Sequence, residues 1–116
     1  MGDISKHFDR REFACHCGCG YDTVDVELIR VLENLREVFE QPVIINSGTR
    51  CASHNTVIGG VPDSQHILGK AADIRVSHID AKTVAHYLVK KYPDRYGIGR
   101  YSDFTHIDVR PDRSRW

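Results

Sequence analysis

Two short segments, AADIRV at 71–76 and THIDVR at 105–110, alternate polar and apolar side chains and constrain the fold more than any other feature. Successive side chains of a β-strand point to opposite faces, so the pattern predicts two strands that each bury one face. The predicted core face consists of Ala72, Ile74, Val76, Ile107 and Val109. The opposite face then carries ionisable groups from both segments.

The remaining periodicity predicts helices over 24–39 and 79–92, the first capped by Asp22 or Thr23, because their apolar residues recur at helical spacing. Short strands are predicted over 42–48 and 95–101, and the stretch from Thr49 to Pro62 is expected to be a loop with one helical turn. Four strands and two helices without regular alternation indicate an α+β fold, with a small, largely antiparallel sheet and helices on one face.

The length of 116 residues fits one domain, 1–116, with a core from about 13 to 110. Lys and Arg number 16, as do Asp and Glu, so the zero formal charge argues against nucleic-acid binding. No segment approaches the ~20 apolar residues of a membrane span, so no membrane insertion is expected. Without a visible signal peptide, we expect synthesis in the cytoplasm. We also expect a monomer, and a ragged end in RPDRSRW.

The polar face of the two predicted strands indicates a metal site. Asp73 and His106 converge if the strands are neighbours, and His66 precedes a glycine turn that can fold it over the same face. Two imidazoles and one carboxylate are the ligand set of a catalytic zinc site, which keeps one position for water. The sequence therefore predicts one catalytic Zn²⁺ ion held by these three residues.

Three further side chains fit roles around such an ion. Asp103, three residues before His106, is the predicted general base, although a loop aspartate also commonly starts a turn. Asp108 is a natural acceptor for the ring N–H of His106, or else a salt-bridge partner of Arg110. Arg50 would bind a substrate carboxylate or stabilise an oxyanion, or else is a solvated charge.

The segment CHCGCG at 15–20 contains three of the four cysteines, and the fourth is Cys51. A structural zinc knot, a disulfide from Cys51 to one of Cys15, Cys17 and Cys19, and free thiols all remain open. The C-x-C-x-C spacing differs from the C-x₂-C pairs of ordinary zinc ribbons.

The motif S-x-H-x-x-G-x-A-x-D, from Ser64 to Asp73, followed by D-x-x-H-x-D, from Asp103 to Asp108, resembles peptidase family M15. The resemblance extends from about Phe13 to Arg110 and includes CGCG, SGTRC, N-x-x-x-G-G and GIGRY. Members of this family are zinc D-Ala-D-Ala carboxypeptidases, dipeptidases and phage endolysins that cut peptidoglycan stem peptides.

The resemblance implies a zinc peptidase with a Hedgehog-like fold and a peptidoglycan peptide as substrate. His66, Asp73 and His106 would bind the metal, Asp103 and Arg50 would be catalytic, and Ser64 and Arg50 would contact substrate. Aspartate rather than glutamate at position 103 is similar to phage L-alanyl-D-glutamate peptidases, some of which await release in the host cytoplasm. The alternative is a non-catalytic, zinc-stabilised module that binds cell-wall peptides or a protein.

Overall fold

The computed structural model describes residues 2–61 and 64–116, so Pro62 of the expected loop lies outside the described residues. A 3₁₀ turn at Arg10–Phe13 precedes the first helix. The helices are α1 (Val26–Phe39), α2 (Ala52–Val57) and α3 (Ala81–Lys91). The strands are β1 (Val43–Ser47), β2 (Ala71–Val76), β3 (Gly97–Arg100), β4 (Thr105–Asp108) and β5 (Ser114–Arg115).

All five strands belong to one sheet with the order β1-β2-β4-β3-β5. The pairs β1–β2, β2–β4 and β4–β3 are antiparallel, and the pair β3–β5 is parallel. The predicted α+β fold with a largely antiparallel sheet is therefore confirmed. Strands β2 and β4, which carry the polar faces singled out in the sequence, are adjacent at the centre of this sheet.

The predicted core face of the sheet is also confirmed. Ile74 of β2 and Ile107 of β4 are each 0% exposed. They pack with the apolar stripes of α1 and α3, whose fully buried members include Leu28, Leu32, Leu35, Ala85 and Leu88. Burying a large aliphatic side chain contributes roughly 1.5–3 kcal/mol, so this layer fixes which face of β2 and β4 is left for chemistry.

The first helix begins two residues later than predicted, because Asp25 rather than Asp22 or Thr23 caps it. The Asp25 carboxylate accepts a hydrogen bond from the backbone N–H of Glu27 at 2.8 Å. Such a bond satisfies one of the N–H groups that a helix start leaves without an intrahelical acceptor. Within residues 2–61 and 64–116, no helix has the length and apolarity needed to cross a bilayer.

The expectation of a ragged C-terminal segment is wrong. Ser114 and Arg115 form β5, and the N–H of Trp116 donates to the carbonyl of Ile98 at 3.1 Å. The N–H of Arg100 donates in return to the carbonyl of Trp116 at 2.8 Å. Backbone hydrogen bonds and bonds from the Arg115 guanidinium to the carbonyls of Tyr92 and Tyr96, both at 2.6 Å, thus dock this segment. None of these bonds needs an apolar pattern that the sequence would reveal.

Candidate metal centre

The three predicted metal ligands converge on the polar face of the sheet. Asp73 of β2 lies directly opposite His106 of β4 in the antiparallel register, and its Oδ1 is 2.9 Å from Nδ1 of that histidine. His66 comes from the turn before β2, and its Nε2 is 3.4 Å from Oδ2 of Asp73. One ligand atom from each of the three residues lies within 4.8 Å of the other two.

These distances fit a single small cation. Zinc is bound by imidazole nitrogen and carboxylate oxygen at about 2.0–2.2 Å, which places two ligand atoms of a tetrahedral site about 3.3–3.6 Å apart. The observed separation of 3.4 Å lies in that range, and the separation of 2.9 Å is a few tenths of an ångström shorter. His66 is 3% exposed and His106 is 8% exposed, so their rings are held in place by surrounding protein.

Each imidazole is oriented through its other nitrogen. Nδ1 of His66 is 2.6 Å from the carbonyl oxygen of Gly48, which only accepts, so this nitrogen carries the proton and donates. Nε2 of His106 is 2.8 Å from Oδ2 of Asp108, to which it donates in the same way. The remaining nitrogens, Nε2 of His66 and Nδ1 of His106, therefore present lone pairs to a metal beside Asp73.

Asp108 does more than either of the roles predicted for it. Its side chain is 0% exposed and accepts from Arg110 Nε and Nη2, both at 2.7 Å, as well as from His106. The backbone N–H of Gly97 donates to it at 3.1 Å. The carboxylate is thus both the anchor of His106 and the ion-pair partner of Arg110.

The electrostatics of the site keep both carboxylates ionised. Burial alone would raise the pKa of Asp73, but hydrogen bonds from His106 and His66 hold it well below its usual 3.8. Burial likewise opposes ionisation of Asp108, yet His106 and Arg110 hold its pKa below the usual value. Burial would lower the pKa of His106, but its bonds to Asp108 and Asp73 raise it above 6.5.

Arg50 is not a solvated charge, because its side chain is only 14% exposed. Its Nη2 lies 3.4 Å from Oδ2 of Asp73, and its Nη1 lies 3.3 Å from Oδ1 of the buried Asn55. Its Nε is buried and has no hydrogen-bond partner among residues 2–61 and 64–116. The two long bonds leave the terminal nitrogens of this guanidinium able to bind an oxygen of a ligand at the site.

Two further predicted site residues, Ser64 and Asp103, lie outside the cluster of metal ligands. Ser64 is buried beside the centre, where its Oγ accepts from the backbone N–H of His66 at 3.1 Å. Asp103 is exposed, belongs to no ligand cluster, and forms no hydrogen bond or ion pair within the described part of the chain. It lines a cleft of about 400 Å³ beside the end of β2, together with residues 77–81.

Sequence reasoning missed three contributors to the centre. The Gly48 carbonyl orients His66, and Asn55, which is 1% exposed, supports Arg50. The ring of Trp116 packs 4.9 Å from the ring of His106, in space left by the absent side chain of Gly99. Asn55 lies in the quoted N-x-x-x-G-G motif, whereas nothing in the sequence pattern connects Trp116 with position 106.

Two imidazoles and one carboxylate on the polar face of a small α+β sheet define a metallopeptidase type of centre. Residues 6–108 match the family described as Peptidase M15, and this match covers most of the chain. The protein therefore belongs to peptidase family M15, as its motifs indicate. No curated protein matches the chain.

Proposed function

We propose that this protein is a zinc-dependent peptidase that hydrolyses peptide bonds in peptidoglycan stem peptides. The observation that carries the proposal is the convergence of His66, Asp73 and His106, with both rings turned so that lone pairs face the carboxylate. The choice of substrate is supported by the motifs around these residues, which resemble those of M15 enzymes that act on cell walls. The zero formal charge is consistent with a partner that is not a nucleic acid.

Zinc is the proposed ion because it favours imidazole and carboxylate ligands and because three protein ligands leave one position open. When bound, zinc lowers the pKa of a water in that position to about 7 and polarises the scissile carbonyl. The chain's own part is to hold the three ligand atoms in place, which the bonds to Gly48 and Asp108 accomplish.

Asp103 is the proposed general base. Its carboxylate takes a proton from the attacking water and then gives it to the leaving amine nitrogen. Such general acid–base catalysis typically raises the rate about 10²–10⁴-fold. The role requires the turn between β3 and β4 to carry Asp103 out of its cleft and toward His106. The side chain is exposed and no hydrogen bond among the described residues holds it where it is.

Arg50 and Ser64 are the proposed substrate contacts. The guanidinium of Arg50 donates to the carbonyl oxygen on which negative charge develops, using donors that its two long bonds leave available. The hydroxyl of Ser64 accepts from the N–H of His66 and retains its own proton for a substrate oxygen.

The bond cleaved is proposed to be L-Ala–D-Glu, with D-Ala-D-Ala as the other candidate. Aspartate at position 103 favours the first choice by its resemblance to phage endolysins. We propose that the enzyme works as a monomer without membrane insertion. Because peptidoglycan lies outside the cytoplasmic membrane, the protein must cross or be released through that membrane to reach it.

The test is digestion of purified peptidoglycan by the zinc-loaded protein. New amine termini and muropeptide masses identify whether a bond is cut and which one it is. Asp103→Asn should retain the metal and lose turnover about a hundredfold or more, whereas Asp112→Asn, a matched exposed carboxylate, should behave as the wild type. Wild-type turnover in Asp103→Asn would remove that residue from catalysis.

The position of Asp103 away from the cluster favours a second candidate, a non-catalytic module that uses zinc to stabilise a peptide-binding domain. That module would co-sediment with peptidoglycan and release no new amine termini. The same digestion experiment thus separates a peptidase from a binding module.

A further inference from the structure

Four cysteines from two separate segments bring their thiols together at the start of α2. Cys15, Cys17 and Cys19 belong to the loop after the 3₁₀ turn, and Cys51 immediately precedes α2. All four thiols are free, and their sulfur atoms all lie within 4.8 Å of one another. Cys17 and Cys19 are exposed, so the cluster is not a set of thiols buried as ordinary core residues.

The loop is shaped for this convergence. In a regular strand, alternate side chains share a face but are separated by about 6.8 Å, too far for three sulfurs to meet. Gly18 and Gly20 adopt φ angles of 82° and 88°, which glycine accepts without steric cost. The N–H of Cys15 donates to the carbonyl of Tyr21 at 2.8 Å and closes the loop on itself. The curled backbone therefore directs its three sulfurs toward Cys51.

The sulfur separations match a metal site and not a disulfide. Cys15 Sγ is 3.4 Å from Cys17 Sγ and 3.7 Å from Cys51 Sγ, and the latter two are 3.6 Å apart. A disulfide would require about 2.05 Å. Four sulfurs bound at about 2.3 Å to one tetrahedral zinc ion are separated by about 3.8 Å.

Backbone N–H groups also point at the sulfurs. The N–H of Cys51 donates to Cys15 Sγ, and the N–H of His54 donates to Cys51 Sγ, both at 3.4 Å. The N–H of Tyr21 donates to Cys19 Sγ at 3.4 Å. Such donors offset the negative charge of thiolates and fix their orientation around an ion.

We propose that Cys15, Cys17, Cys19 and Cys51 bind one structural zinc ion as a closed tetrathiolate site, separate from the His66–Asp73–His106 centre. Four protein ligands leave no open position, so the site supports structure and not chemistry. It fastens the N-terminal loop to the residue that follows Arg50.

Metal content per chain tests the proposal and does not depend on peptidase activity. The protein, purified with reductant and Zn²⁺ and then desalted, should contain two zinc ions per chain. Cys17→Ser and His66→Ala should each contain one, lost from different sites. His16→Ala is the matched control, because His16 is exposed between two of the cysteines but outside the cluster, and it should retain both ions.

Cobalt substitution in wild type and in His66→Ala assigns the ions without relying on the folding of a cysteine variant. Both Co²⁺-loaded proteins should show an intense thiolate-to-cobalt charge-transfer absorption. In the zinc-loaded wild type, iodoacetamide should modify the four thiols only after a chelator is added. Absence of the cobalt band in wild type, ready alkylation of the zinc-loaded protein, or an intact mass that reveals a disulfide would each overturn the proposal. Loss of the His66-dependent ion alone would instead count against the proposed peptidase.

Discussion

Replacing Asp108 by asparagine removes the carboxylate that orients His106 while keeping the volume of the side chain. The amide has one acceptor oxygen where the carboxylate has two, and its NH₂ group must face a donor of either His106 or Arg110. In either orientation the negative charge that strengthens the bond to the His106 ring N–H is lost, so Nδ1 is held less firmly toward Asp73. We therefore expect Asp108→Asn to weaken metal binding at this centre.

The expected losses of metal affinity and of folding stability follow from these contacts. Losing a partner of a metal-bound histidine typically weakens metal affinity by about 10–100-fold, equivalent to ~1.4–2.8 kcal/mol. Removing one member of a buried ion pair costs about 3–5 kcal/mol of folding stability. The lower end, about 3 kcal/mol, applies because asparagine keeps one acceptor and because the Arg110 side chain is 31% exposed to solvent. A typical domain stability of about 5–15 kcal/mol leaves the variant folded.

Competition with a chromophoric zinc chelator measures the affinity, and denaturant unfolding of the metal-free protein measures the stability. Wild type and variant share the same cysteine cluster, so the difference in affinity belongs to the His66–Asp73–His106 centre. Asp112→Asn is the control, because it makes the same chemical change at an exposed carboxylate. An unchanged zinc affinity in Asp108→Asn, with the stability loss intact, would show that Asp108 does not orient the metal ligand.

Two further predictions concern the edges of the domain. Glu33 accepts hydrogen bonds from Ser5 Oγ at 2.5 Å and from the backbone N–H of His7 at 2.7 Å, which outweigh burial and lower its pKa below 4.5. Because the Glu33 pKa is lower in the folded protein than in the unfolded chain, the ionised group stabilises the fold at pH values above the unfolded-state pKa. The stability advantage of wild type over Glu33→Gln should therefore shrink as the pH falls through and below 4.5, as measured by unfolding at a series of pH values. An advantage independent of pH would refute this. Trp116→Ala should weaken zinc binding several-fold, because His106 loses the ring packed 4.9 Å away. Trp116→Phe should largely restore the zinc affinity. Equal affinity in all three proteins would mean that this ring contact is irrelevant to the metal.

The sequence was sufficient for the parts of the fold that depend on side-chain periodicity. Alternation placed Ile74 and Ile107 in the core and put Asp73 and His106 on the opposite face, where the register makes them direct neighbours. Those predictions succeeded because burying an apolar face fixes the phase of a strand, and a slip of one residue would reverse it.

What the sequence could not predict depends on backbone bonding and on loop conformation. Strand β5 is held by hydrogen bonds to β3, and any sequence can make such bonds. The C-x-C-x-C spacing gave no decision between thiols, disulfide and metal, because the outcome depends on how Gly18 and Gly20 turn the loop. Asp103 was assigned by its spacing to His106 and by the resemblance to family M15, and neither determines the direction of a side chain in a turn.

The most direct test of the metal centre is a crystal structure of the zinc-loaded protein, with anomalous diffraction measured at the zinc absorption edge. We predict an anomalous peak about 2.0–2.2 Å from Nε2 of His66, Nδ1 of His106 and a carboxylate oxygen of Asp73. A map with no peak among these three residues, or a zinc ion bound instead through Nε2 of His106, would contradict the account.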